Sequence, residues 1–429
     1  MRIIHLTPGT GSFHCGSCLR DHALIKALRV RGHDALIVPL YLPLVTDREE
    51  INADQPVRVG GISLYLQQKM PWFHLMPGFV HRWLNDPARL RKASLRIGMT
   101  SAKDLGEMTV GSLVGQKGRQ WAEWKKLISW LKEQPKIDVV SLSNSLITGL
   151  AQAIKEETGA RVVCSLQGED AFLDTLVEPY REQAWAALRD NMQHVDRLIA
   201  PSCFYADTMA ARLQVGPDKM VVIPNGIEST PFTVAKPDPN WSIIGFFARM
   251  IHGKGLTLLV DAFIEMVKRN RVPRTKLKIG GAFTPGDEKY VAGLKDKLKK
   301  AGCLDRVEFH PNLNFDDKTR FFRDVSVFSV PTIYGEAFGL YVLEALACGV
   351  PVVQPESGAF PELIEATGGG LLFKSEDSSA LADALERLLS DNQLREQLSL
   401  KGMSAVRQNF TPAAMAARFD EMLRQVVAD

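Results

Sequence analysis

A chain of 429 residues exceeds what one ordinary hydrophobic core organises, so two domains of roughly 200 residues each are expected. Hydrophobic residues make up 45% of it and charged residues 24%, the balance of a globular enzyme rather than of a disordered or fibrous chain. A net charge of +3 gives no reason to expect a nucleic-acid partner, and it leaves room for a local basic patch facing an anionic ligand.

No apolar run reaches the roughly 20 residues that a membrane helix needs. The nearest, Ala35 to Leu44, is interrupted by Pro39 and Pro43. Met1 to Leu6 reads as a strand whose apolar stretch is too short for a signal peptide, which places the protein in the cytoplasm as an expectation. The 6 cysteines are scattered and form no disulfide framework. Cys15 and Cys18 make a Cys-x-x-Cys pair, but no second pair with metal spacing accompanies it, so small reduced side chains are expected and no metal.

In chain order, Ile3 to Leu6 is followed by the glycine-rich Pro8-Gly9-Thr10-Gly11-Ser12-Phe13-His14-Cys15-Gly16. Leu19, Ala23, Leu24, Ala27 and Leu28 then recur at helical spacing, Gly32 stops that helix, and Asp34 to Val38 begins a second strand. This is a βαβ opening. Residues 62–116 leave the pattern, with Trp72, Phe73, Phe79 and Trp83, then Arg82, Arg89, Arg91, Lys92, Arg96 and Lys103, with only Asp86 opposing up to that point. Two readings stand for this helical excursion: a solvated helix pair over an aromatic seam, or a flap that meets the acceptor or a membrane surface.

Strands are expected at Asp138–Leu142, Val162–Leu166, Leu198–Ala200 and Val221–Ile223, with helices Leu146–Thr158 and Arg181–Val195 among them. Pro231 to Pro239 reads as a linker. A second series places strands at Ile243–Phe247, Leu277–Gly280, Val307–Phe309, Val325–Val330 and Val350–Gln354, with helical stretches between them. Helices between Ser378 and Val406 and from Pro412 to Val427 close the chain. The fold class is therefore α/β, with two doubly wound Rossmann-like domains: an N-terminal one over 1–228, a C-terminal one over 240–408, and a terminal helix over 409–429.

Open sheets of this kind bind ligands at the carboxyl ends of their strands, so two such domains facing each other would hold a site in the cleft between them. Gly9 and Gly11 can bring backbone close to a ligand, although the next glycine falls at 16 and the dinucleotide fingerprint fails; a tight turn with no ligand contact is the alternative. In the second half, Arg249 and Lys254 follow a strand and precede a helix, where a guanidinium and an ammonium can clamp a diphosphate. Glu336 and Glu344 stand eight residues apart, the first in a glycine-flanked loop and the second on the helix that follows. Main-chain N–H groups of Ala337, Phe338, Gly339 and Leu340 would lie at that helix's N-terminus, where anions bind. A polyhydroxylated ligand with phosphates, such as a nucleotide sugar, suits this set.

Arg249 with Lys254, the two glutamates, the Pro224-Asn225-Gly226-Ile227 turn and the glycine loop occur together and in order, and the chain thereby resembles the retaining family 4 (group 1) glycosyltransferases of GT-B fold. The resemblance implies that Glu344 holds the ribose hydroxyls of the donor, Glu336 a sugar hydroxyl, residues 337–340 the sugar and diphosphate, and Arg249 and Lys254 the departing nucleoside diphosphate. It also implies a terminal helix that crosses back onto the N-terminal domain, retention of anomeric configuration, and no cofactor beyond the nucleotide-sugar co-substrate. The base would meet main chain near His310-Pro311-Asn312.

The sequence departs from that family where many members carry a histidine near the donor sugar. The matching place reads Ser165-Leu166-Gln167-Gly168-Glu169-Asp170. Gln167 hydrogen-bonds but does not titrate. Glu169 and Asp170 are candidates to orient the acceptor, with helix capping as the alternative. His14, in the glycine loop, is the best acceptor-side histidine; His5 and His252 are expected to be structural. The acceptor itself, whether sugar, lipid-linked sugar or small molecule, is left open. Competing readings are a nucleotide-sugar-binding protein without transferase activity and a GT-B-fold epimerase or phosphorylase.

Overall fold

The computed structural model describes residues 1–9, 16–42, 59–86, 89, 102–236 and 238–428, which divide into two compact units, Met1–Pro224 with Met415–Asp429 and Asn225–Ala414. The first unit carries a parallel sheet of β1 (Arg2–Thr7), β2 (Asp34–Pro39), β3 (Val139–Leu142), β4 (Arg161–Ser165), β5 (Arg197–Ala200) and β6 (Met220–Val222). Their spatial order is β2-β1-β3-β4-β5-β6. The strands are short apolar runs because helices cover both faces of such a sheet. The order reverses between β1 and β3, so the crevice at the carboxyl ends of these two strands is where a ligand would enter.

The expected excursion is helical in its described parts, with helices at Gly61–Lys69, Gly78–Leu84 and Ala102–Leu113. Its cations Arg91, Lys92 and Arg96 lie outside the described residues. The stretch from Leu146 to Thr158 is a tighter 3-10 turn over Ser145–Leu150 that leads into an α-helix over Ala151–Thr158. The terminal helix, Pro412–Ala428, lays Met415, Phe419, Met422, Leu423 and Val426 against Ile3, Leu24, Leu28 and Ile37 of the first unit. Asp420 fastens it there, accepting from Arg31 at 2.9 Å and lying 3.0 Å from the His33 ring.

The second unit holds β7 (Ser242–Phe247), β8 (Thr275–Gly281), β9 (Val307–Pro311), β10 (Val327–Phe328), β11 (Val352–Pro355) and β12 (Gly370–Phe373), in the spatial order β12-β11-β10-β7-β8-β9. The switch point is therefore between β7 and β10. The expected strand over Val325–Val330 keeps only two ladder residues. Strand β12 was hidden in sequence behind three consecutive glycines. A side chain on Gly370 would meet the Val352 carbonyl at 2.4 Å, so the glycine permits the pairing with β11. The passage from Pro231 to Pro239, expected as a linker, belongs to the second unit instead. Phe232 is buried in its core, and the Ala235 N–H bonds the Cys348 carbonyl at 2.8 Å. The division between the units falls earlier, after Pro224.

At the carboxyl ends of β1, β3 and β4 lies a fully buried polar cluster that periodicity did not reveal. Asp21 accepts hydrogen bonds from Thr7 (3.0 Å) and Ser143 (2.5 Å) and forms ion pairs with Arg20 (2.9 Å) and the His5 ring (3.3 Å). Arg20 also donates to the Ser165 hydroxyl at 3.2 Å, joining the network to β4. Burial works against the Asp21 carboxylate, but Arg20, His5 and Ser143 outweigh it and its pKa falls to about 2.

Asp21→Asn leaves a buried guanidinium without its counter-charge, and urea unfolding at pH 7 is expected to show a loss of about 3–5 kcal/mol. Because the folded pKa is depressed, the Asp21 contribution is complete above the ordinary carboxylate range and fades as pH falls toward about 2. The difference between wild type and variant is therefore expected to shrink across that acid window. A difference under about 1 kcal/mol at pH 7 would contradict the assigned pairing.

Candidate functional site

The best-defined polar constellation lies at the β7/β10 switch point of the second unit. After β7 the chain passes Arg249, which is exposed, and forms a 3-10 turn over His252–Lys254. Gly255 then adopts φ +73° and starts the helix Leu256–Arg269. A side chain on Gly255 would stand 1.6 Å from the Pro331 carbonyl oxygen, and one on Gly253 would touch the Tyr334 ring at 3.2 Å. The Ile333 N–H donates to the Gly253 carbonyl at 3.2 Å. These glycines let the turn lie directly on the segment that follows β10, which carries Lys254 to Glu336.

The Lys254 Nζ lies 2.5 Å from Glu336 Oε2, and the Tyr341 hydroxyl donates to the same oxygen at 2.7 Å. The ammonium also stands 5.0 Å above the Tyr334 ring and 5.5 Å above that of Tyr341. The paired side chains retain only 15% and 14% exposure. Burial opposes the lysine's charge, yet Glu336 and Tyr334 more than compensate, and its pKa rises. Burial and then Glu336 push the Tyr341 phenol well above its ordinary range, so it remains a donor. The Tyr334 phenol is also raised by burial and Glu336, against the opposing pull of Lys254 and Arg249. From behind, Gly358 at φ +62° lets its turn rest on the Glu336 main chain, whose carbonyl accepts from the Ala359 N–H at 2.9 Å.

Gly339, at φ +92°, turns the chain into the helix Leu340–Ala347. The first N–H groups of that helix, at Leu340 and Tyr341, have no carbonyl four residues earlier within the helix and point from its positive end. The side chains of Ala337 and Phe338 are buried, which leaves main chain as the part of these residues suited to a ligand. Glu344 lies one turn into the helix, and its Oε1 is 2.5 Å from Lys318 Nζ. On the other side of β7, Asn312 is committed to main chain, accepting from the Phe283 N–H and donating to the Phe283 carbonyl at 2.9 Å each. It thereby braces the loops after β8 and β9, where the base was expected.

In the first unit Gly9 adopts φ +88°, and a side chain there would lie 1.9 Å from the Leu42 carbonyl oxygen. Close packing against the chain that follows β2 already requires this glycine. Gly11 and His14 lie outside the described residues. Glu169 is buried, and its carboxylate joins two loops by accepting from the Ser145 N–H (2.9 Å) and the Gln167 N–H (2.7 Å). Burial raises its pKa, against the pull of those two N–H groups. Asp170 accepts from the buried Tyr205 hydroxyl at 2.8 Å. Glu169 thus fixes the main chain of Gln167, while the Gln167 side chain is half-buried. His5 belongs to the buried Asp21 cluster, and His252 stands 6.2 Å from the Tyr290 ring.

The structure therefore brings Lys254 and Glu336 into direct contact, with Arg249 nearby, and groups Gln167, Glu169 and Asp170 separately in the first unit. Sequence reasoning missed Tyr334 and Tyr341, which flank the glutamate motif and could have been read from it. It also missed Lys318, which sits among Asp316, Asp317 and Arg320 on a short helix and gives no signal of its own.

Two doubly wound parallel sheets, one with a lysine–glutamate pair and a helix N-terminus at its switch point, define an α/β protein of two Rossmann-like domains. Residues 232–404 match the family described as Glycosyl transferases group 1, and residues 106–230 match Glycosyltransferase Family 4. The chain belongs to these group 1, family 4 glycosyltransferases. It is 33% identical over 196 residues to the lipopolysaccharide core biosynthesis mannosyltransferase LpsB of Rhizobium meliloti, covering 44% of this chain and 54% of that one. It is 31% identical over 193 residues to the phosphatidyl-myo-inositol mannosyltransferase of Mycobacterium leprae, covering 44% and 49%. The chain thus spans about half the length of the curated relatives it matches. Among solved structures, Anabaena Alr3699/HepE in complex with UDP superposes with a TM-score of 0.67 at 18% identity, covering 99% of this chain and 100% of that one. Sucrose-phosphate synthase from Thermosynechococcus elongatus gives 0.71 at 17% identity with full coverage of both. These likenesses show the GT-B fold.

Gly255→Ala tests the packing that assembles the site. The methyl group has no room at the Pro331 carbonyl and the backbone is left-handed, so a loss of about 1–3 kcal/mol in denaturant unfolding is expected. Unchanged stability would contradict the close approach.

Proposed function

We propose that the protein transfers a hexose from a nucleoside diphosphate sugar to an acceptor, with retention of anomeric configuration and without a metal ion. The observation that carries this reading is the Lys254–Glu336 pair beside the helix that starts at Leu340. Family membership and a structural neighbour in complex with UDP support a nucleotide-sugar donor.

Breaking the anomeric C–O bond builds positive charge on the sugar and negative charge on the leaving diphosphate. The cations Arg249 and Lys254 and the N–H groups at the start of the helix oppose the second charge, which stabilises the transition state more than the ground state. They supply at the diphosphate the positive charge that a metal ion would otherwise bring. Lys254 is held by Glu336 before any phosphate arrives, so it enters the reaction placed rather than mobile. A phosphate oxygen shares the ammonium with Glu336, whose other carboxylate oxygen accepts from a sugar hydroxyl. Glu344 accepts from the ribose hydroxyls. In front-side attack the leaving phosphate takes the acceptor's proton, so no protein base is required. Gln167, held by Glu169 at its main chain, orients sugar or acceptor through its amide.

The acceptor we favour is carried on a lipid, with the protein resting on a membrane surface. Trp72, Leu75 and Trp83 of the helical excursion are 57%, 74% and 60% exposed, and the Arg89 guanidinium stacks on Trp83 at 3.5 Å. Indoles and cations together suit an anionic interface. The names of two relatives, concerned with lipopolysaccharide core and phosphatidylinositol, point the same way. No described helix is long and apolar enough to cross a membrane, so the contact would be peripheral.

Lys254→Ala is expected to lower turnover by on the order of 10²-fold in donor hydrolysis and transfer assays. Turnover equal to wild type would remove Lys254 from the leaving-group role, and product of inverted configuration by NMR would refute retention. In flotation with liposomes, Trp72→Ala/Trp83→Ala is expected to reduce recovery with anionic vesicles several-fold. Recovery of wild-type protein wholly in the soluble fraction would overturn the membrane contact.

A further inference from the structure

We infer that Lys318 is a positioning residue for nucleotide binding, acting through Glu344. This rests on the proposed role of Glu344 as the ribose contact. Lys318 sits on the short helix Phe315–Phe321, whose N-terminus is capped by Asn314 accepting from the Asp317 N–H at 2.8 Å. From there its side chain runs inward, 5.4 Å from the Phe247 ring at the end of β7, and reaches Glu344 Oε1 at 2.5 Å. The two side chains are only 11% and 12% exposed. A lysine is rarely so covered unless it is paired.

The chemistry gives the contact a purpose beyond stability. A carboxylate that receives a vicinal diol must be ionised and held in one rotamer, because each hydroxyl needs its own lone pair. At this depth a lone carboxylate would lose solvation, and its neighbour Cys348 is apolar and buried, with a thiol pushed up to about 12 by burial and then by Glu344. Lys318 supplies the compensating charge and takes one oxygen. The other, Oε2, has no hydrogen-bond partner among the described residues and is left for the ribose. The site consequently holds two carboxylate–lysine pairs of the same design, Glu336 with Lys254 for the sugar end and Glu344 with Lys318 for the ribose end.

The inference makes ribose discrimination depend on a residue that need not touch the ligand. Calorimetry with uridine, adenosine and guanosine diphosphates, followed by the 2′-deoxy form of whichever binds, tests it. Wild type is expected to prefer the ribonucleotide by at least about tenfold, the scale of a lost charge-assisted hydrogen bond. Lys318→Met is expected to weaken ribonucleotide binding about tenfold and to bring the ribo-to-deoxy ratio close to one. Lys318→Arg, which keeps the charge, is expected to recover most of the preference. In combination with Glu344→Gln, Lys318→Met should add little further loss, since both changes remove one interaction. Retained affinity and retained ribose preference in a folded Lys318→Met protein would overturn the inference and leave the donor site standing. If Lys318→Met does not fold, loss of the preference in Lys318→Arg as well would overturn it. Failure of wild type to bind any of the three diphosphates would instead refute the donor reading itself.

Discussion

The second unit is organised around one close approach, the Gly253-Lys254-Gly255 turn lying on the Pro331–Tyr334 segment. Strands β7 and β10 are neighbours in the sheet, and their trailing loops diverge at the switch point. Loops that diverge there usually leave a crevice. Here the absence of a Cβ at Gly255 lets one loop rest on the carbonyl of the other, and Lys254 meets Glu336 across the contact. Tyr341 completes the arrangement from the first turn of the following helix, so the pair, the two aromatic rings and the helix N-terminus form one unit of structure. The pairing also limits cost: a cation and an anion with little solvent each offset the other's desolvation.

The first unit uses its buried charge differently. Asp21, Arg20 and His5 are sealed beneath the strand ends, and Glu169 uses both oxygens on main-chain N–H groups of the loops after β3 and β4. These groups hold a surface rather than present themselves to it. The Gln167 side chain beside them stays half-buried. In the proposed reaction the leaving phosphate accepts the proton, and an amide at Gln167 would orient a hydroxyl without titrating.

Much of this was legible from sequence because it depends on spacing. Parallel strands announce themselves as short apolar runs, and the glutamates, the cations and the Pro-Asn-Gly-Ile turn fall at fixed distances from those runs. What sequence hid was set by tertiary packing. Three glycines masked β12, of which Gly370 is needed for the close approach to β11. Prolines made residues 231–239 read as a linker although Phe232 anchors the segment in the core. Lys318 gives no signal among Asp316, Asp317 and Arg320, and only its burial reveals the partner. Glu169, in turn, looked like an acid awaiting a substrate until its two main-chain bonds were seen.

In the proposed reaction Lys254 and the helix N-terminus form a diphosphate site held ready by Glu336. Calorimetric titration of nucleoside diphosphates against the matching nucleoside monophosphates and nucleosides, on wild type and Lys254→Met, tests this most directly. A diphosphate site predicts that wild type binds the diphosphate at least about tenfold more tightly than the monophosphate, and that Lys254→Met removes most of this advantage while nucleoside binding is unchanged. Equal affinity of wild type for all three, or an advantage untouched by Lys254→Met, would contradict it.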